Sequence, residues 1–153
     1  MFKTWFFLIG LIFISSKNHS QNTIIPDNNF EQALIDLGLD TPPLNNLVPT
    51  KNIIGVIDLD IKGKNIHDIT GIEDFLALSN LDCSDNQLSF LNISQNTNLK
   101  EIYCNNNLLT TLNIETLSNL VRLWCFNNQL QSLDVTLNSK LISYVVKQIT
   151  YLV

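Results

Sequence analysis

Basic residues are scarce in this chain, and the shortage excludes one class of partner at once. The 153 residues carry nine Lys and Arg against fourteen Asp and Glu, a formal net charge of −5, with only 15% charged residues. Nucleic-acid binding needs a basic stripe that displaces counterions from phosphate. The Lys and Arg residues here are scattered, and the net acidic surface repels phosphate backbones. A membrane-spanning run is also missing. The apolar stretch from Trp5 to Ile14 is about ten residues long, well short of the roughly 20 that cross a bilayer. No cysteine precedes Cys83, so no lipid-modified cysteine follows that stretch. The histidines are His19 and His67, and neither lies beside a nucleophile. With no phosphate loop and no metalloprotease helix motif, an enzyme has nothing to stand on; His67, next to Asp68, reads as a surface residue. No cofactor is implied.

What is present begins with a secretory signal. Lys3 precedes the apolar run, and the small pair Ser15-Ser16 follows it, the order of a cleaved leader. Cleavage after Ser20 or after Ser16 fits; residues 1–20 are taken as the signal peptide and residue 21 onward as mature. Loss of Lys3 and Lys17 moves the net charge from −5 to about −7. A hydrophobic fraction of 45% gives the remainder enough apolar material for one buried core.

The mature chain repeats itself every 21 residues, in the blocks 78–98, 99–119 and 120–140, with Leu141 opening a fourth. Aligned columns hold Leu78/Leu99/Leu120/Leu141, Leu81/Ile102/Leu123, Cys83/Cys104/Cys125, Asn86/Asn107/Asn128, Leu88/Leu109/Leu130, Leu91/Leu112/Leu133 and Ile93/Ile114/Val135. A divergent turn with Leu59, Ile61, Ile66, Ile69 and Ile72 leads in. The pattern L-x-x-L-x-C-x-x-N-x-L-x-x-L-x-[IV] is that of a leucine-rich repeat, a short strand plus a return segment. One such unit cannot hide its own leucines; stacked units bury them in a continuous column. Asn86, Asn107 and Asn128 stand at the corner after each strand, where a buried side-chain amide can satisfy turning backbone.

Ahead of the repeats, the segment Ile25 to Gly38 predicts a helix over about 27–37. Asn28 is the expected N-cap with Glu31 three residues later, Phe30, Ala33, Leu34 and Leu37 form the expected apolar stripe, and Gly38 is the stop. Such a helix lids the first coil, whose strand edge would otherwise face water. The organisation is thus 1–20 signal peptide, 21–56 N-terminal cap and linker (Thr41-Pro42-Pro43-Leu44-Asn45-Asn46), 57–140 repeats and 141–153 an incomplete final repeat or tail. Residues 53–61 return the chain to the sheet. The fold class is an α/β repeat solenoid: a right-handed leucine-rich-repeat array with a parallel concave sheet, short return segments and an N-terminal capping helix.

On these motifs, residues from about 24 to 140 resemble the secreted, internalin-like bacterial leucine-rich-repeat proteins. The resemblance implies recognition of a protein or glycan outside the cell, often with further repeats and a C-terminal anchoring module. This sequence departs from that pattern in having nothing after Val153.

The cysteines share one inward column, where a free thiol acts as a small buried hydrophobe. Their Cα atoms would stand about 5 Å apart, but parallel side-chain vectors fit a disulfide dihedral poorly. No histidine or fourth thiol is near enough in sequence to complete a metal site, so a reduced stack is expected over a bridge or a metal. If each strand covers positions 3 to 7 of its repeat, the concave face shows Asn80, Glu101 and Arg122; Asp82, Tyr103 and Trp124; and Ser84, Asn105 and Phe126. Tyr103, Trp124 and Phe126 form an aromatic patch beside a Glu101–Arg122 pair. Aromatic and Arg residues carry much of the energy of protein interfaces, although cross-strand aromatic pairs also stabilise sheets. Asp82, Glu101, Tyr103, Arg122, Trp124 and Phe126 are therefore the candidate ligand-binding residues.

Toward the end, Leu141, Tyr144 and Val146 keep the columns, but Ile149 replaces the corner asparagine. The apolar tail 149–153 either folds over the last coil, or mediates a dimer, or marks a truncated form of a longer array. The expected function is an extracellular protein-binding module with an unidentified protein or glycan partner. The alternatives are a structural or adhesive component that self-associates through its C-terminal edge and a fragment of a longer repeat protein.

Overall fold

A computed structural model describes residues 22–145 and 151–152. The expected signal peptide, Val146, Ile149 and the rest of the tail other than Tyr151 and Leu152 lie outside the described residues. In chain order the elements are β1 (Asn22–Ile24), α1 (Asn28–Asp36), β2 (Leu47–Pro49), α2 (Thr50–Ile53), β3 (Asp58–Asp60), a 3₁₀ turn (Ile72–Asp74), β4 (Asn80–Asp82), β5 (Glu101–Tyr103), β6 (Arg122–Trp124), β7 (Ser132–Leu133), β8 (Ser143–Val145) and β9 (Tyr151–Leu152).

The 21-residue period becomes the register of a parallel sheet. Strands β3, β4, β5, β6 and β8 lie side by side in that order, with Glu101 opposite Arg122 and Arg122 opposite Ser143. The first coil is one residue longer, so Asp58 stands opposite Asn80 and Asp60 opposite Asp82. In β3, β4, β5 and β6 the middle residue turns inward, and Leu59, Leu81, Ile102 and Leu123 are buried in one column. The Leu, Ile and Cys columns join these in a single core running from Ile25 to Leu133. Full burial of each such aliphatic side chain contributes about 1.5–3 kcal/mol, a stabilisation available only because a neighbouring coil covers it. This is a leucine-rich-repeat solenoid.

The return arms are tight turns rather than helices. In each, two successive i→i+3 amide bonds reverse the chain, as from Asn96 to the Ile93 carbonyl and from Leu99 to the Asn96 carbonyl. A second short parallel pair, β7 with β9, sets Leu133 opposite Leu152. The segment Tyr151–Leu152 thus lies alongside the preceding coil.

Helix α1 departs from expectation at both ends. Its N-cap is Asp27, not Asn28: Asp27 Oδ1 accepts from the amides of Asn29 and Phe30, while its Oδ2 accepts from His67 and Asp68 in the first coil. One carboxylate both starts the helix and ties it to the solenoid. Phe30, Ala33 and Leu34 are buried, with Phe30 stacked on Phe75 at 6.5 Å, but Leu37 is half exposed. The helix ends before Leu37 can turn inward: Gly38, at φ +73°, donates to the Ile35 carbonyl and Leu39 to that of Leu34, the paired bonds of a Schellman motif. It is Leu39 that packs against the core. Glu31 is fully buried and accepts from the amides of Asn45 and Asn46, holding the linker down. The antiparallel pair β1–β2 and the one-turn helix α2, which ends at Ile53 where the 53–61 return begins, were not anticipated.

Candidate functional site

The strand alternation that buries Leu81, Ile102 and Leu123 sends their neighbours to the outer face of the sheet. Two rows result. One holds Asp58, Asn80, Glu101 and Arg122; the other holds Asp60, Asp82, Tyr103 and Trp124. The expected third row is only partly there. The strands are three residues long and not five, and each chain bends at a left-handed residue soon after: Gly63, Asp85, Asn106 and Asn127 all have φ between 53° and 66°. Asn and Asp are the non-glycine residues that tolerate this conformation best. The bend carries Ser84 and Asn105 into buried positions, whereas Phe126 stays half-buried at the margin.

The aromatic residues meet as a cluster. Tyr103 and Trp124 pack edge-on at 5.2 Å between ring centroids, and Trp124 lies 6.3 Å from Phe126. Trp124 is 40% exposed, a costly position for the largest apolar side chain unless something covers it. Alongside, Arg122 Nη1 donates to Glu101 Oε1 at 2.9 Å and the Tyr103 hydroxyl donates to Glu101 Oε2 at 2.9 Å. That hydrogen bond to Glu101 pushes the Tyr103 pKa up, and the Glu101 carboxylate does the same for Arg122. The triad ties Tyr103 and Arg122, on adjacent strands, to the one Glu101 carboxylate at the edge of the aromatic patch.

Asp82 lies at the N-terminal end of the patch, opposite Tyr103, its Oδ1 engaged by the amide and hydroxyl of Ser84. Asp58 and Asp60, absent from the sequence-derived site, extend it by one strand. The divergent first coil hid them: they fall into the outward rows only when the 22-residue offset of that coil is used. Asp60 Oδ1 accepts from the Lys62 amide and Asp58 Oδ1 from Asn80.

Behind this face the corner asparagines bind coil to coil. Asn86 Oδ1 accepts from the amides of Lys64 and Ile66, and its Nδ2 donates to the carbonyls of Ile61 and Cys83. Asn107 accepts from the Leu88 amide and donates to the carbonyls of Cys83 and Cys104; Asn128 accepts from the Leu109 amide and donates to those of Cys104 and Cys125. A second set was overlooked: Asn96 and Asn138 are buried in the return arms and each donates to two carbonyls of the preceding coil. Its signal was the column Phe75, Asn96, Leu117, Asn138, which alternates polar and apolar.

Cys83, Cys104 and Cys125 are free and buried one above another. Burial pushes the Cys83 thiol up to about 12 and that of Cys125 up to about 11, with Cys104 raised as well. Thiols so protonated are poor nucleophiles and poor metal ligands. His67 is exposed. Among the described residues no group of three or more His, Cys, Asp or Glu is placed to hold a metal, and no helix there is long and apolar enough to cross a membrane.

No protein-family model and no curated protein matches the sequence. Solved structures do. The functional domain of InlJ from Listeria monocytogenes, which includes a cysteine ladder, is similar over 87% of this chain at 27% identity and a TM-score of 0.68; the match covers 35% of that chain. An internalin, InlF, from Listeria monocytogenes strain 4b F2365 is similar in fold over 82% of this chain at 19% identity and a TM-score of 0.66, covering 44% of its own length. The present chain therefore spans less than half the length of either. With the same parallel coils, one residue identical in four to InlJ and a buried cysteine in each of three successive turns, the chain is an internalin-like leucine-rich-repeat protein.

Proposed function

We propose that this chain is an exported, non-catalytic recognition module that binds an extracellular protein or glycan on the outer, concave face of its sheet. The observation that carries the reading is the Tyr103–Trp124–Phe126 cluster, with Trp124 40% exposed on a face that is otherwise polar. Large rings fixed on short strands give contact area at little conformational cost, which is why such residues dominate binding energy in protein interfaces. Export rests on the leader-like residues 1–20 and is consistent with the internalin likeness.

The test is capture from surface and extracellular material with the native chain and with a Tyr103→Ala/Trp124→Ala/Phe126→Ala variant of equal circular dichroism. A partner retained by the first and lost by the second supports the reading; equal retention removes it. Trp124→Ala alone is expected to leave folding intact and to weaken binding by about tenfold or more, the loss of one interface anchor.

A second reading, self-association through the C-terminal edge, draws on the exposed Leu137 and Ile142 of the last coil. Light scattering at tens of micromolar separates the two, since a monomer is incompatible with assembly through that edge.

A further inference from the structure

The outer face is divided between two chemistries, and the division names the kind of partner it fits. Its N-terminal half carries Asp58, Asp60 and Asp82; its C-terminal half carries Tyr103, Trp124 and Phe126. The cations near this face are already used. Lys62 pairs with Asp85 at 3.2 Å and Arg122 with Glu101 at 2.9 Å, and the ion pairs of the described residues include none of Asp58, Asp60 or Asp82. Lys62 also lies within electrostatic reach of Asp60 and Asp82, so Asp58, Asp60, Asp82 and Asp85 have one lysine among them and the row stays net acidic, on a chain whose net charge is already −5. Their oxygens are fixed: Asp60 Oδ1 by the Lys62 amide, Asp82 Oδ1 by Ser84 and Asp58 Oδ1 by Asn80. Such a row repels acidic surfaces and concentrates basic ones.

We propose that the occupant of this face is a basic polypeptide segment, one that sets lysine or arginine side chains over Asp60 and Asp82 and an apolar side chain against Trp124. The proposal rests on the binding reading given above and specifies its ligand. Strands stand about 4.8 Å apart, so Asp82 and Asp60 lie roughly 10 and 14 Å from Trp124 across two and three strands. The partner therefore presents its cations at about that distance from its apolar anchor, along a line perpendicular to the strands. A neutral glycan would use the rings and ignore the carboxylates, and an acidic glycan would be repelled by them.

The chain has two tryptophans, Trp5 and Trp124, so in a Trp5→Phe background the emission of Trp124 reports occupancy of the face directly. The probes are three synthetic peptides of equal length and leucine content, built with lysine, serine or glutamate as the alternating residue, and a neutral glucose oligosaccharide. The lysine–leucine peptide is expected to shift Trp124 emission saturably and to weaken as salt shortens the screening length from about 10 Å at 0.1 M to about 3 Å at 1 M. Asp60→Asn/Asp82→Asn keeps every Oδ1 acceptor and removes two charges; it is expected to lower that affinity about tenfold, the scale of two partly exposed charge pairs. Equal affinity for the serine or glutamate peptide, or an affinity unmoved by the asparagine pair, overturns the basic-partner inference while leaving the aromatic face as a binding site. Saturation by the oligosaccharide alone overturns it in favour of a glycan. If no probe moves Trp124, the inference falls, and capture with the triple-alanine variant decides the binding reading separately.

Discussion

Removing corner asparagines one at a time should give costs that follow the bookkeeping of shared carbonyls, not the burial of each side chain. Asn107→Ala takes one partner from the Cys83 carbonyl, which keeps Asn86, and one from the Cys104 carbonyl, which keeps Asn128. The group left stranded is the Leu88 amide. One buried amide without a partner, plus the lost bonds, costs about 2–3 kcal/mol. Asn86→Ala strands two amides, Lys64 and Ile66, and takes Nδ2 from the Ile61 carbonyl, so about 4 kcal/mol or more is expected, a large part of the about 5–15 kcal/mol that holds a domain folded. The sharing predicts a further effect. Asn107→Ala with Asn128→Ala empties the Cys104 carbonyl, which neither single change does, so the double variant should lose about 1 kcal/mol more than the sum. Urea unfolding of the four variants measures all of this. An Asn86 cost no larger than that of Asn107, or additivity of Asn107 and Asn128 within about 0.3 kcal/mol, would refute the reasoning.

Gly71 sits at φ +102°, and a Cβ there would meet Ile25 Cδ1 at 2.4 Å and the Ile24 carbonyl at 2.7 Å; Gly71→Ala is expected to cost about 2–4 kcal/mol, read as a fall in Tm. Gly63 has φ +66° but open space around it, and its column continues as Asp85, Asn106 and Asn127, so Gly63→Asn should stay within about 0.5 kcal/mol of the parent. The buried thiols predict alkaline loss of stability. An unfolded thiol ionises near its ordinary 9.0 while Cys83 is held to about 12, so this contribution is complete below pH 9 and disappears as pH rises toward 12, at about 1.4 kcal/mol per unit and about 4 kcal/mol in all. Cys83→Val, which imitates the Ile61 found in that column of the first coil, should remove the Cys83 share and make the alkaline fall shallower by about 1.4 kcal/mol per unit, leaving the shares of the raised Cys104 and Cys125 thiols; an unchanged alkaline slope would contradict it.

The solenoid was readable because its determinants are local and repeated. A leucine spacing of 21 residues states which Cα faces which, and the register Glu101, Arg122, Ser143 follows from it directly. The parts that escaped are those decided by distant contacts. Nothing near Asp27 in sequence reveals that its second oxygen is claimed by His67 and Asp68, forty residues away. Leu37 fits the helical stripe, yet the Gly38 motif ends the helix first and sends Leu39 inward. Strand length was overestimated because apolar alternation, and even coil-to-coil amide bonds such as Cys83 to the Tyr103 carbonyl and Asp85 to the Asn105 carbonyl, continue past the strands, while the left-handed residues Asp85 and Asn106 bend the chain out of extended geometry. At the site, the aromatic trio was legible as a column property, whereas Asp58 and Asp60 required the altered length of a coil whose sequence barely repeats.

The direction of the asparagine bonds gives the array a polarity. Asn86, Asn107 and Asn128 each complete the turn of the coil before their own, so each of these three coils is finished by its successor. Loss of a turn from the N-terminal side leaves the remaining corners intact, whereas loss from the C-terminal side undoes the corner just upstream. Duplication of a whole 21-residue unit inserts both a corner and the residue that closes the previous one, so arrays of this kind can lengthen in the middle without an unsatisfied joint.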